Sequence, residues 1–154
     1  MAHYLNDFKV GDSFETQRYT IAEEESVAFA RAYDPQPFHL YAGEAARSMF
    51  GELVVSGWHT AAITMRLVVD SGVLRETGII GTGIDDLRWL APVKPGATLR
   101  VRGEVIELRP WPGSATRGTL RVKLATLDEN DTVVMTQIAN LIMPVRQPHE
   151  APAR

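Results

Sequence analysis

An acid and an imidazole lie five positions apart in a short segment that contains two prolines. The segment, residues 33–39, reads YDPQPFH. Because proline restricts the backbone, the relative position of Asp34 and His39 can be set before a substrate binds. A carboxylate beside a histidine can share one water, with one group taking its proton and the other returning a proton to the product. The plain structural alternative is that Asp34 ends a helix and His39 is a solvated loop residue.

Helices are predicted on both sides of this segment. Thr20 is the predicted N-cap of the first helix, with Glu23 completing a capping box. This helix must end near Asp34, because Pro35 disfavours helical geometry in the residue before it. Residues 34–39 are therefore predicted to form a stiff loop, and a short second helix is predicted for residues 42–50.

The longest predicted helix, residues 57–70, reads GWHTAAITMRLVVD. Apolar residues spread around nearly its whole circumference, so we expect little of it to face water. From residue 79 onward, apolar and polar residues alternate and short turns separate the segments, which predicts an antiparallel meander. A change of parity at residues 106–108 predicts a bulge. The sequence thus predicts an α+β protein in which a curved antiparallel sheet wraps one long helix.

Length and composition limit the possible functions. The 154 residues suit one domain, with residues 1–147 predicted as the folded unit and residues 148–154 as a flexible tail. The chain has 16 Lys and Arg, 19 Asp and Glu and a net charge of −3, so no nucleic-acid or membrane partner is expected. Without cysteine, and with four scattered histidines, no metal site is expected. No signal-peptide core is present, so a cytoplasmic location is expected.

The segment with the acid and the imidazole resembles the motif Asp-x-Asn-Pro-x-His of the MaoC-like hydratases. That family has the hotdog fold and contains the (R)-specific enoyl-CoA hydratases and related dehydratases. The resemblance continues in VVSGW at residues 54–58 and in LAPVKPGATL at residues 90–99, and covers nearly the whole chain. It implies a single hotdog domain, an acyl-CoA thioester as substrate and no cofactor apart from the coenzyme A of that substrate.

The resemblance also implies roles for individual residues. Asp34 and His39 match the catalytic dyad, which activates the water that adds across the C2=C3 bond of a trans-2-enoyl thioester. Gly57 matches the glycine whose backbone N–H is the oxyanion donor to the thioester carbonyl. This third role agrees with the unpaired N–H groups and the positive dipole end at a helix N-terminus.

Four residues are expected to contact or orient the substrate, namely Gln36, Ser56, Trp58 and Met65. Gln36 stands where the family has an asparagine that orients the dyad, and is one methylene longer. Ser56 stands where many members have histidine. Met65 stands where some members have a serine near the acyl pocket, and its flexible apolar side chain would line or fill an acyl channel.

Other residues lie close in sequence to the segments that resemble the family. His59, two residues past the glycine, is predicted as a core or interface histidine. Arg88 and Trp89 are expected either to edge a ligand channel or to belong to a strand with one face exposed to solvent.

The favoured function is hydration of a 2-enoyl thioester, or the reverse dehydration of a 3-hydroxyacyl thioester. Two alternatives remain, a non-catalytic acyl-CoA-binding hotdog protein and, less favoured, an acyl-CoA thioesterase. Hotdog thioesterases usually use an acid in or near the central helix, whereas the first acid after Gly57 is Asp70, at the far end. The sequence leaves three points open: the length and branching of the acyl chain, the choice between coenzyme A and acyl-carrier protein, and which dyad member carries which proton.

The open edge of a lone hotdog sheet predicts a homodimer or a higher homo-oligomer.

Overall fold

A computed structural model describes residues 3–74 and 80–148 of the chain. Its helices are α1 (Glu23–Tyr33), α2 (Pro37–Leu40), α3 (Ala42–Ala46) and α4 (Gly57–Asp70), preceded by a 3₁₀ turn at Leu5–Asp7. Its strands are β1 (Ser13–Glu15), β2 (Tyr19–Thr20), β3 (Ile80–Trp89), β4 (Thr98–Pro110), β5 (Arg117–Leu127) and β6 (Val133–Pro144).

The strands of the described residues form one antiparallel sheet in the order β1-β4-β5-β6-β3, with β2 paired to β4. The long strands β4, β5 and β6 lie at its centre, and alternate residues such as Val101 and Val122 are buried. The register shifts between Val105 and Glu107, which confirms the predicted bulge. The expected meander is therefore present in β4, β5 and β6, whereas β3, which precedes them in the chain, pairs with β6 rather than with β4.

The long helix α4 packs one face against the sheet. Its buried residues are His59, Thr60, Ile63, Thr64, Leu67 and Val68. A hydrogen bond of 2.7 Å between the hydroxyls of Thr64 and Thr126 ties the helix to β5. The fold is thus the predicted hotdog, a curved antiparallel sheet around one long helix.

The opposite face of α4 is open in the single chain. Trp58, Met65 and Val69 lie on this face and are 57%, 51% and 57% exposed. The expectation that little of the helix faces water is therefore wrong for one chain. Apolar periodicity shows that a face must be covered, but it does not show whether the same chain covers it.

The start of α1 differs from the prediction. Its N-cap is Ala22, and no side chain caps the helix. Thr20 belongs instead to β2, where its hydroxyl makes a 2.8 Å hydrogen bond with that of Thr98. The predicted capping box is absent because pairing with β4 takes the threonine hydroxyl that would have formed it.

The segment after α1 is also more helical than expected. Residues 34–36 are irregular, but Pro37 opens the one-turn helix α2, in the first position that suits proline. The loop prediction for residues 34–39 is therefore wrong in its second half. The next helix, α3, ends at Ala46 rather than at Phe50.

Some predictions fall outside the described residues. These are residues 1–2 and 75–79 of the predicted domain, which include residue 79 as the start of a strand, and all of the predicted tail except Pro148. Within residues 3–74 and 80–148, no helix combines the length and the apolar character that crossing a membrane requires.

Candidate active site

Asp34 and His39 are brought together by the end of one helix and the start of the next. Asp34 is the C-cap of α1, with its backbone out of the helical region at φ −150° and ψ 65°. His39 lies in α2 and is 6% exposed. The helix break at Pro35 turns the chain, so that the His39 Nε2 atom lies 3.2 Å from the Asp34 Oδ2 atom. The predicted pair therefore exists as a contact.

Each oxygen of the Asp34 carboxylate accepts a hydrogen bond from another side chain. The Gln36 amide donates to Oδ1 at 2.7 Å, and the Ser56 hydroxyl donates to Oδ2 at 2.7 Å. Two donors on opposite oxygens set both the position and the plane of the carboxylate. The glutamine thus reaches the dyad despite its extra methylene.

The backbone carbonyl of Val54 determines the tautomer of His39. Its oxygen lies 2.8 Å from the His39 Nδ1 atom. Because a carbonyl only accepts hydrogen bonds, Nδ1 must carry a hydrogen. Nε2 is therefore the nitrogen that gains and loses a proton, and it is the one that faces Asp34.

Two opposing effects act on the Asp34 carboxyl. Burial raises its pKa, while hydrogen bonds from Gln36 and Ser56 and the neighbouring His39 lower it, and the net pKa is below the ordinary value. Asp34 is accordingly ionised at neutral pH, which suits it to accept a hydrogen bond from water.

Gly57 is the first residue of α4, so its backbone N–H has no acceptor within the helix. Ser56 satisfies the next three N–H groups, since its hydroxyl accepts from Trp58 at 3.3 Å and its carbonyl accepts from His59 and Thr60 at 3.0 and 3.1 Å. Among the residues that the structure describes, none accepts a hydrogen bond from the Gly57 N–H. This donor lies at the positive end of a 14-residue helix.

A cavity of about 470 Å³ adjoins these groups. Its lining includes the dyad, Gln36 and Gly57, and its apolar walls come from two sides of the fold. The apolar lining residues are Phe38, Phe50, Val54, Val55, Trp58, Trp89, Leu90, Ala91, Pro92 and Val93. A mostly apolar cavity with a few convergent polar groups is the usual form of a small-molecule site.

The other predicted site residues are distributed unevenly around this cavity. Trp58 lines it and meets Trp89 edge-on, with ring centroids 5.0 Å apart. Ser56 is fully buried behind the carboxylate and is not part of the cavity wall. Met65 lies on the open face of α4, two turns from Gly57, and the single chain does not bring it into the cavity.

His59 lies in the core, as expected. It is 4% exposed, stacks on Phe29 at 4.6 Å, and its Nε2 atom lies 3.4 Å from the Glu25 Oε1 atom. Burial lowers its pKa more than Glu25 raises it.

In residues 3–74 and 80–148, no three His, Asp or Glu side chains are arranged to hold a metal ion.

Two parts of the site had no signal in the sequence. The Val54 carbonyl that orients His39 is a group that every residue carries, so its role depends on where the chain folds. The aromatic wall formed by Phe38 and Phe50 could equally have been part of the core. Of Arg88 and Trp89, Trp89 lines the cavity, whereas Arg88 does not and is paired with Asp86 at 2.7 Å.

The fold and the site together define a class, namely hotdog proteins with an acid and an imidazole beside the N-terminus of the central helix. Comparison with family models then assigns the family. The model of the MaoC like domain matches residues 7–126, which is most of the chain. The chain belongs to the MaoC-like dehydratase family.

Individual relatives agree with this assignment. The MaoC-like dehydratase from Rhodospirillum rubrum is 40% identical in sequence to this chain, and its crystal structure superposes with a TM-score of 0.90. The match covers 95% of this chain and 99% of that one. Protein MaoC of Klebsiella aerogenes is 39% identical over 100 residues, which is 64% of this chain but 29% of that protein. The unliganded R-hydratase PhaJ1 from Pseudomonas aeruginosa is 26% identical, with a TM-score of 0.72 and coverage of 98% and 95%. The predicted family and fold are confirmed.

Proposed function

We propose that the protein is an (R)-specific enoyl-CoA hydratase, acting in reverse as a 3-hydroxyacyl-CoA dehydratase. The observation that carries the proposal is the 3.2 Å contact between Asp34 and His39 in a cavity that is also lined by Gly57, whose N–H meets no acceptor among the described residues. Family membership supports the reaction class, and the likeness to the R-hydratase from Pseudomonas aeruginosa supports the stereochemistry.

In the proposed reaction, a water in the cavity hydrogen-bonds to both His39 Nε2 and the Asp34 carboxylate. His39 takes a proton as the water oxygen bonds to C3, and the electrons of the C2=C3 bond move toward the thioester carbonyl. The Gly57 N–H stabilises the negative charge that develops on this oxygen. The dyad then returns one proton to C2, so that a hydrogen and a hydroxyl add to the same face of the double bond.

The deciding experiment is an assay with trans-2-enoyl-CoA thioesters of short, medium and long acyl chains. We expect formation of the (R)-3-hydroxyacyl product, read by chiral analysis. Asp34→Asn and His39→Gln should each lower kcat by about 10²–10⁴-fold, the range for loss of general acid–base catalysis. Asp70→Asn is the matched control, because Asp70 is an exposed acid at the far end of α4.

The same assay separates the alternatives. Release of free coenzyme A would indicate a thioesterase, although the only acid on α4, Asp70, is paired with Arg66 at 2.6 Å. Binding of enoyl-CoA without turnover across the panel would indicate a binding protein. Unchanged rates in both dyad variants would refute the mechanism.

We also propose that the protein acts as a homodimer. Strand β3 is an edge of the sheet, and among the described residues only β6 pairs with it. Ile80 and Ile84 on this strand and Trp58, Met65 and Val69 on the open face of α4 are exposed apolar side chains, and Trp58 meets Trp89 of β3 at the cavity. A second copy covering this edge would lie close to the dyad, and would give Met65 an environment that the single chain does not provide.

A further inference from the structure

Ser56 joins the Asp34 carboxylate to the N-terminus of the central helix. Its side chain is fully buried, and its hydroxyl donates to Asp34 Oδ2 at 2.7 Å while accepting from the Trp58 N–H at 3.3 Å. Asp34 and Ser56 are 22 residues apart in the chain, so this bond connects two separate elements. One hydroxyl therefore links the group that faces His39 with the helix that begins at Gly57.

The bond is made to the oxygen that matters for the dyad. Oδ2 is the carboxylate oxygen that lies 3.2 Å from His39 Nε2, whereas Gln36 holds the other oxygen. Rotation of the carboxylate would break the bond from Ser56 and move Oδ2 away from the histidine. Shifts of about 1 Å in such geometry can cost about 10²-fold in rate.

The position of Ser56 does not suit direct contact with a substrate. Its side chain is not exposed, and the single hydroxyl hydrogen is donated to Asp34. Three N–H groups of the first turn of α4 are satisfied by Ser56 atoms, which leaves Gly57 as the donor without an acceptor in the described chain. The serine thus holds both halves of the site without entering the cavity.

We propose that Ser56 is a positioning residue, not a substrate-binding one, whose hydroxyl holds the Asp34 carboxylate in place relative to His39 and to the Gly57 N–H. The expected effect of the Ser56 hydroxyl on turnover rests on the proposed function. Its effect on the Asp34 carboxyl does not depend on any reaction, so the positioning role and the proposed function can be tested separately.

The test uses Ser56→Ala and Ser56→Gly, both of which remove the hydroxyl. Glycine is a good N-cap, so the second variant removes the bond to Asp34 with little effect on the start of α4. Ser71→Ala is the matched control, because the Ser71 hydroxyl bonds to backbone groups at the other end of the same helix. Thermal unfolding establishes that each variant is folded.

The first measurement is steady-state hydration of the best enoyl-CoA substrate. A positioning role predicts that kcat falls about 10–100-fold in both Ser56 variants while KM stays within about twofold, because ground-state binding is unchanged. Ser71→Ala should match the wild type. A raised KM with unchanged kcat would overturn the proposal in favour of substrate binding.

The second measurement is an NMR titration of the Asp34 carboxyl carbon, which requires no turnover. Loss of a hydrogen bond that lowers the pKa of Asp34 should raise this pKa in both Ser56 variants and leave it unchanged in Ser71→Ala. An unchanged Asp34 pKa in a folded Ser56 variant would overturn the proposal. If no enoyl-CoA is hydrated but the pKa rises, the positioning role stands and the proposed function fails.

Discussion

The indole of Trp89 lies against Gly57, and its Nε1 donates a 2.9 Å hydrogen bond to the Gly57 carbonyl. A Cβ added at Gly57 would lie 2.6 Å from that nitrogen. The backbone at Gly57 therefore has no room for a side chain while the Trp89 indole of β3 stays in this position. Strand and helix meet here at the edge of the cavity.

Gly57→Ala should destabilise the protein by about 1–3 kcal/mol, the usual cost of overpacking. In a Trp89→Ala background, the same substitution should cost close to nothing, because the indole is gone. The measurement is a double-mutant cycle in urea denaturation. Gly43→Ala is the control, since a Cβ there has no atom within 4 Å. An equal cost in both backgrounds would show that Trp89 is not the obstacle.

The lowered pKa of Asp34 predicts an acid-sensitive contribution to stability. The unfolded state has the ordinary Asp pKa of about 3.9, so the contribution is complete well above this pH and is lost as pH falls through the lower folded-state pKa. The free energy of unfolding should be measured against pH for the wild type and for Asp34→Asn. The wild type should lose more of it than the variant does, and only below about pH 5. Parallel pH dependences of the two proteins would contradict this.

His59 should affect stability in a higher pH window. Burial lowers its pKa, so below the unfolded-state value of about 6.5 the unfolded chain takes up a proton before the folded chain does. Wild-type stability should therefore fall as pH drops below about 7, with a slope of up to about 1.4 kcal/mol per pH unit from this residue. His59→Leu should lack this component in denaturation curves from pH 7.5 to 5.5. A variant whose stability falls as steeply would disprove the assignment.

Charged substitutions on β3 or on the open face of α4 should convert the proposed homodimer into monomers. Ile84→Lys places a charge on β3, and Met65→Glu places one on the open face of α4. We expect either change to convert a wild-type dimer into a monomer in light scattering, with lower activity. Val10→Lys is the control, because Val10 is 62% exposed and lies before β1, at the other edge of the sheet. A monomeric wild type with full activity would end this proposal.

Local patterns predicted most of the elements and the contact between Asp34 and His39. Asp34 and His39 lie in one short segment, so a helix break between two prolines suffices to bring them together. The bulge in β4 showed as a change of parity, because side chains of a strand alternate between its faces. The start of α1 was mispredicted because Thr20 pairs with a strand almost 80 residues away.

The sequence by itself determined the hotdog architecture, the acid–imidazole pair and the glycine at the start of the central helix, since each follows from residue types at short spacing. Only the tertiary structure decided how that pair is held. The hydrogen bond that the Val54 carbonyl accepts from His39 and the one that Ser56 donates to Asp34 join residues 15 and 22 positions apart, and no local pattern encodes them. Tertiary structure likewise turned Met65 away from the cavity, because apolar periodicity defines a face of a helix without saying what covers it.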